Sequence, residues 1–352
     1  MDDHPGPPSS LLAIAGRVEL RMAALLAAEA ERWAAVDGDL LEPIDVLRGL
    51  VLSPGKRLRP AFCEWAYRGA GGDDDALITD IGAALELLHA FALIHDDVMD
   101  GSDLRRGGAT AHRTYDDRHR QEGWLGESRR FGEGVAILIG DLAFVYADAL
   151  LAPVGPVART VWDELRIELN IGQYLDMLGS ARGKTGLEAA RRIATFKSGK
   201  YTVERPLHLG AALAGRLDEL RAPLTAYGLP LGEAFQLRDD LLGAFGDTVA
   251  TGKPVGDDLR EGKPTPLLAI ARERAHGAAA SVLARVGDRD LDAEGVAAVQ
   301  SVLTATGATA EVERRIESLT AAALVAAKEL DVTGEAQAAL GELATYVAWR
   351  DR

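Results

Sequence analysis

Residues 81–100 read Ile-Gly-Ala-Ala-Leu-Glu-Leu-Leu-His-Ala-Phe-Ala-Leu-Ile-His-Asp-Asp-Val-Met-Asp, an apolar run that ends in three aspartates. Ile81, Leu85, Leu88, Ala92 and His95 recur at the three-to-four-residue step of one helix face. No proline interrupts Ala61–Ala152 or Leu267–Arg352. A proline costs a helix interior about 3 kcal/mol, so these long Ala- and Leu-rich stretches suit helices. Ile316, Leu319, Ala323, Ala326 and Leu330 make a second stripe near the C-terminus, and sustained apolar–polar alternation, the strand signal, is missing. The fold class is all-α.

Outward from that helix, breaks are expected at Pro54-Gly55, Gly69–Asp75, Pro153–Pro156, Arg182–Gly186, Pro223, Pro230, Gly252–Pro254 and Gly262–Pro266. Residues 113–134, polar and Gly-punctuated, read as a long surface loop. With no linker or fixed repeat, residues 1–10 read as a loose tail and 11–352 as one large helical domain. With 47% hydrophobic and 26% charged residues, the chain is globular and not disordered. A net charge of −15 disfavours nucleic-acid or anionic-membrane surfaces, although a basic cluster or a metal can reverse the field within one cleft. The lone Cys63 can form neither an internal disulfide nor a Cys-rich metal site. A soluble cytoplasmic protein is expected: the acidic, Pro-rich N-terminus lacks signal-peptide features, and no charge-free apolar run approaches the ~20 residues of a membrane span.

The aspartates carry the chemistry. Four residues apart on a helix, Asp96 and Asp100 stack, with Asp97 beside them, and stacked like charges are unfavourable unless a cation lies between them. Oxygen ligands without cysteine suit Mg²⁺ bridged to phosphate. A DDxxD stretch alone is more often a solvated acidic helix end, but the buried character of Leu85–Ile94 points these acids into a cleft. Gln236-Leu237-Arg238-Asp239-Asp240 ends a second apolar helix, Leu229–Leu242, with Asp247 following. Two such ends imply a multi-carboxylate site between helices. Basic residues complement them: Lys56, Arg57 and Arg59 between Gly55 and Pro60, Arg105-Arg106-Gly107-Gly108, Lys197, Lys253 and Lys263. Arginine offers phosphate a bidentate fork and lysine a point charge. Each alone reads as surface charge; together they describe a diphosphate held by metal on one side and Arg/Lys on the other.

In this order and spacing the chain resembles the trans-isoprenyl diphosphate synthases, or polyprenyl synthetases, and is most like a bacterial geranylgeranyl diphosphate synthase. The elements are GKRxRP at 55–60, Leu87-Leu88-His89, the first aspartate motif with Arg105-Arg106-Gly107, Gly140-Asp141, Gly172-Gln173 with Asp176, Phe196-Lys197-Ser198-Gly199, the second aspartate motif, and Lys253 with 257–263. The resemblance implies an isoprenoid synthase fold, a homodimer and three Mg²⁺ per active site. It implies that Asp96, Asp100 and Asp239 bind metal, with Asp97 and Asp240 in the catalytic set. Arg105, Lys197, Lys253 and Lys263 would hold an allylic diphosphate, with Gln236 and Ser198 beside it; Lys56, Arg59, His89 and Arg106 would hold isopentenyl diphosphate. Phe91 and Ala92, five and four residues before Asp96, stand where the family sets product length and imply a C20 product, with farnesyl or longer products as alternatives. On an ideal helix Ala92, not Phe91, lies beneath Asp96. The second motif has Gly243 where the family often has a third aspartate. A class I terpene cyclase would need a late Asn/Asp…Ser/Thr…Glu triad, which is missing, and a non-catalytic partner subunit usually loses an aspartate motif.

Overall fold

The computed structural model describes residues 6–183, 185–246 and 255–349, and they are helical almost throughout. They form two compact units, residues 9–64 with 73–155, and residues 6–8 and 65–72 with 156–349.

The first unit holds α1 (Ser9–Ala34), α2 (Leu41–Leu52), the start of α3 (Leu58–Gly69), α4 (Asp75–Asp100), α5 (Ala111–Gln121) and α6 (Ser128–Leu150). Helix α4 is its core. Asp74 caps it by accepting from Leu77 N at 2.9 Å, and Gly101 closes it in the left-handed region at φ 65°. Residues 81–88 are buried on every side rather than along one stripe. Among the described residues α4 is also the helix long and apolar enough to cross a membrane, with 61% of its apolar window buried inside the protein.

After α4, strands β1 (Leu104–Arg105) and β2 (Gly108–Ala109) pair antiparallel, Leu104 with Ala109 and Arg105 with Gly108. Both turn residues, Arg106 (φ 52°) and Gly107 (φ 80°), have positive φ, as a two-residue hairpin with right-handed twist requires. The hairpin is too short to show alternation in sequence.

The expected surface loop at 113–134 is instead helix: α5 runs to Gln121 and α6 begins at Ser128. Its buried face is polar, with His112, Tyr115, Asp116 and His119 inward, so no apolar stripe announces it. Gly132 marks no turn: a Cβ there would overlap His112 O and lie 2.9 Å from Asp116 N, so glycine lets α5 and α6 touch.

The second unit holds α7 (Pro156–Arg182), α8 (Leu187–Ala194), a π-helical segment Thr195–Glu204, α9 (Arg205–Leu213), α10 (Leu217–Phe245), the short α11 (Asp257–Glu261), α12 (Pro266–Arg274), α13 (Ala278–Leu283), α14 (Ala293–Ala305), α15 (Ala308–Glu329) and α16 (Gly334–Trp349). The breaks expected at Pro223 and Pro230 do not occur; both lie inside α10, which starts twelve residues before the expected Leu229. Burial of Leu220, Leu224, Tyr227 and Leu231 outweighs the proline cost. Tyr227 also donates to Leu340 O at 2.7 Å. The break expected at Gly252–Pro254 lies outside the described residues.

Candidate active site

In the first unit the residues around 55–60 are organised by Arg57. Its Nη1 donates to Glu86 Oε2 at 2.7 Å, its Nε to Glu19 Oε1 at 3.1 Å, and its Nη2 to Val51 O and Ser53 O at 2.5 and 3.0 Å. This buried guanidinium holds a left-handed backbone (φ 48°) that a non-glycine residue enters at a cost of roughly 1–2 kcal/mol. It fixes the backbone that displays Lys56 and Arg59 beside it. Arg106, also left-handed, is tied to the same place: its Nη1 donates to Ser53 Oγ at 2.6 Å. Gly55 completes the approach, since a Cβ there would meet Arg57 Nη1 at 3.0 Å and Arg106 Nη2 at 3.3 Å.

His89, on α4, faces this group. Burial, then the guanidiniums of Arg59, Arg106, Arg105 and Arg57, hold its pKa well below the usual histidine range, so it is a neutral imidazole within four arginines. Arg57, Arg59, Arg105 and Arg106 thus concentrate positive charge around His89. Sequence reasoning did not assign Arg57 a role; the signal was Glu86, a carboxylate inside an apolar helix.

At the end of α4, Asp97 is 3% exposed and Asp96 and Asp100 are half-buried. Asp97 accepts from Arg105 Nε at 2.9 Å and from its Nη2, and Arg105 Nη2 lies 3.7 Å from Asp96 Oδ2. Arg105 therefore offsets one of the negative charges that Asp96, Asp97 and Asp100 bring together. Phe91 shares its helix face with His95, not with Asp96. Its ring centroid is 4.6 Å from that of His95 and 5.0 Å from that of Phe144 on α6. His95 Nε2 lies 3.1 Å from Ile137 O, and its ring fills the space of a Cβ on Gly140, the reason for glycine there.

In the second unit the π-helical segment carries Lys197 and Ser198. Segments of this kind are rare and often mark functional sites. Lys197 Nζ pairs with the buried Asp176 of α7 at 2.5 Å. Glycines allow the contact on both sides. A Cβ on Gly172 would overlap Lys197 N and lie 2.6 Å from its Cα, and a Cβ on Gly232 would lie 2.6 Å from Gly199 Cα. On α10, Gln236 Nε2 donates to Asp240 Oδ1 at 2.7 Å. Burial pushes the Asp240 carboxyl well up, against the Gln236 bond and with the charges of Asp258, Asp239 and Asp176. Lys263 Nζ lies 3.1 Å from Glu261 Oε2 and 3.8 Å from Asp258 Oδ1. Lys253 and Asp247 lie outside the described residues. Each unit thus ends a buried helix in carboxylates with fixed cations nearby.

The sequence profile of the polyprenyl synthetase family matches residues 44–304. The chain belongs to the polyprenyl synthetase family. Membership makes it a prenyltransferase of the all-α isoprenyl diphosphate synthase fold. The geranylgeranyl pyrophosphate synthase of Corynebacterium glutamicum, solved with isoprenyl diphosphate and magnesium, is 38% identical with a TM-score of 0.91, covering 96% of this chain and 99% of that one. The nonaprenyl diphosphate synthase of Mycobacterium tuberculosis is 31% identical over 87% of this chain and 86% of its own length. The geranylgeranyl diphosphate synthase of the same organism is 36% identical over 64% of this chain and 61% of its own length. Relatives of this family that make different chain lengths are thus similarly distant.

The donor set fits a divalent cation. It offers hard carboxylate oxygens without thiolates, and buried Asp240 Oδ2 has no hydrogen-bond partner. Among the described residues no three acidic, His or Cys groups are already gathered as a cage. Mg²⁺ does not need one, since one or two carboxylates, waters and substrate phosphates commonly suffice.

Proposed function

We propose that the chain condenses isopentenyl diphosphate head-to-tail with an allylic diphosphate (dimethylallyl, geranyl or farnesyl) to give an all-trans prenyl diphosphate, geranylgeranyl diphosphate (C20). The observation that carries the reading is the pairing, in each unit, of helix-end carboxylates with fixed lysine or arginine. Similarity to the C. glutamicum synthase over nearly both chains supports it.

In this reading Asp96, Asp100 and Asp239 hold Mg²⁺, three ions per site. When bound, Mg²⁺ supplies charge that offsets the negative charge growing on the leaving diphosphate. Arg105, Lys197 and Lys263 hold the allylic diphosphate, with Gln236 and Ser198 beside it; Arg105 and Lys197 exchange their carboxylate partners for phosphate oxygens. Lys56, Arg59, His89 and Arg106 hold isopentenyl diphosphate, and neutral His89 donates one hydrogen bond without adding charge. The allylic C–O bond breaks with its electron pair leaving on diphosphate. The double bond of isopentenyl diphosphate then forms the new C–C bond at the allylic carbon, and a proton passes to the released diphosphate.

A longer product is the second reading, favoured by Phe91, whose ring turns toward His95 and Phe144 rather than beneath Asp96. Residues 11–352 act in this proposal as one cytoplasmic catalytic domain. A homodimer is proposed from the exposed, seven-spaced Phe131, Leu138 and Val145 on α6, and light scattering after size exclusion tests it. The deciding experiment incubates the pure protein with Mg²⁺, isopentenyl diphosphate and each allylic primer, with products sized by chromatography. C20 from the primers is expected; no condensation with any primer overturns the proposal.

A further inference from the structure

Thr110 stands at the N-cap of α5, where a threonine hydroxyl ordinarily accepts from a backbone N–H of the first turn. Here it makes no such bond. Its Oγ1 lies 2.9 Å from Ser102 O and 3.2 Å from His112 Nδ1. A carbonyl cannot donate, so the one hydroxyl proton goes to Ser102 O, and His112 Nδ1 carries the hydrogen that it donates to Oγ1. Burial lowers the His112 pKa, which keeps the ring neutral in that tautomer. Thr110, His112 and Ser102 are all buried.

These bonds close a loop. Ser102 N donates to Asp97 O at 3.0 Å at the end of α4, and Thr110 N donates to Asp103 O at 3.1 Å. Between these ends lies the β1–β2 hairpin with Arg105 and Arg106. A hairpin of two residue pairs with a left-handed turn residue, Arg106 at φ 52°, does not hold its own shape. Helix α5 holds it instead: besides the Thr110 and His112 bonds, Arg113 Nε lies 3.1 Å from Asp103 Oδ1. Helix α6 braces that end of α5, since His112 O fills the space of a Cβ on Gly132.

We propose that Thr110 and His112 are positioning residues for the reaction: through Ser102 they fix the hairpin that presents Arg105 and Arg106. The inference rests on the reading above, in which Arg105 holds the allylic diphosphate and Arg106 isopentenyl diphosphate. It extends that reading to two residues that act through those arginines.

The test is steady-state kinetics of the full chain with Mg²⁺, with folding followed by circular dichroism. Thr110→Val, nearly isosteric, is expected to raise KM for both diphosphates about 3- to 10-fold, with kcat changed less. Thr110→Ser keeps the hydroxyl and is expected to retain wild-type KM values. His112→Leu is expected to repeat the rise, and His112→Asn, whose amide N–H replaces that of Nδ1, to recover most of it. Thr114→Val is the control. It removes a hydroxyl that donates to Thr110 O at 3.0 Å, back along α5, and is expected to leave both KM values unchanged. In an Arg106→Ala background, Thr110→Val is expected to raise KM for isopentenyl diphosphate no further, because its effect runs through that arginine. Unchanged KM values in folded Thr110→Val or His112→Leu, no recovery in Thr110→Ser or His112→Asn, an equal rise in Thr114→Val, or a further rise on Arg106→Ala overturns this inference and leaves the synthase reading intact. A wild-type chain that condenses no primer overturns both.

Discussion

Arg57 and Glu86 form a buried ion pair: Nη1 donates to Oε2 at 2.7 Å and each side chain is 2% exposed. Removing Glu86 leaves the buried Arg57 with Glu19 at 3.1 Å as its remaining carboxylate, at a cost of up to about 3–5 kcal/mol. Glu86→Leu is therefore expected to lower stability to urea by that amount. In the proposed reaction it also raises KM for isopentenyl diphosphate, because Arg57 orders the backbone of Lys56 and Arg59. Adding Arg57→Met is expected to regain most of the stability and none of the KM. A single variant within about 1 kcal/mol of wild type would show that the pair is dispensable.

Gly172 faces backbone rather than a flexible side chain, since its missing Cβ would strike Lys197 N. Gly172→Ala must push the π-helical segment away, and about 1–3 kcal/mol of stability is expected to go with it. Lys197 moves with that backbone, so in the proposed reaction the KM for the allylic substrate rises too. Gly134→Ala is the contrast: it lies in α6 with nothing within 4 Å of a new Cβ, so a gain of roughly 0.5–1 kcal/mol is expected. Equal effects at the two positions in thermal unfolding would refute the packing argument.

The long helices and both aspartate motifs were legible because each element carries its own periodicity and its own chemistry. Position 113–134 was not, because α5 buries His112, Asp116 and His119, which read as solvent-facing residues in a sequence. Prolines 223 and 230 misled for a related reason: a local penalty near 3 kcal/mol is visible in the sequence, and the burial of Leu224, Tyr227 and Leu231 that outweighs it is not. The glycines at 140 and 172 read only as motif letters. Their cause is the atom on a neighbouring element that fills the Cβ position. The reason for Gly243 stayed hidden because the Asp258 side chain that fills its Cβ position lies fifteen residues later.

Phe91 tests how product length is set. If its ring closes the tunnel, Phe91→Ala lengthens the product beyond that of the wild type, because the cavity left against His95 and Phe144 extends the apolar space. If Ala92, one turn before Asp96, lines the tunnel instead, Ala92→Phe shortens the product and Phe91→Ala leaves its length unchanged at a cost of about 3–5 kcal/mol in stability. Chromatography of the dephosphorylated products from both variants decides between them; no change of length in either would place the floor elsewhere.

His208, on α9 and 1% exposed, is a built-in acid sensitivity of the second unit. Arg205 Nη1 donates to its Nδ1 at 3.1 Å, and its Nε2 donates to Arg221 O at 3.1 Å. Thr225 Oγ lies 3.0 Å from Nε2 and itself donates to Glu204 Oε1 at 2.8 Å. These contacts suit a neutral ring, and burial, reinforced by Arg205 and Arg221, lowers its pKa to about 4. An unfolded histidine titrates near 6.5, so between about pH 6.5 and 4 the unfolded chain binds a proton that the folded chain refuses. This contribution to stability is complete above pH 6.5 and is lost as pH falls, by up to about 1.4 kcal/mol per pH unit. His208→Gln keeps a donor for Arg221 O and removes the titration. It is expected to be less stable than wild type at pH 7.5, with the gap narrowing steadily toward pH 4.5 in urea unfolding. A gap constant with pH would mean that His208 protonates as readily in the folded protein as in the unfolded one.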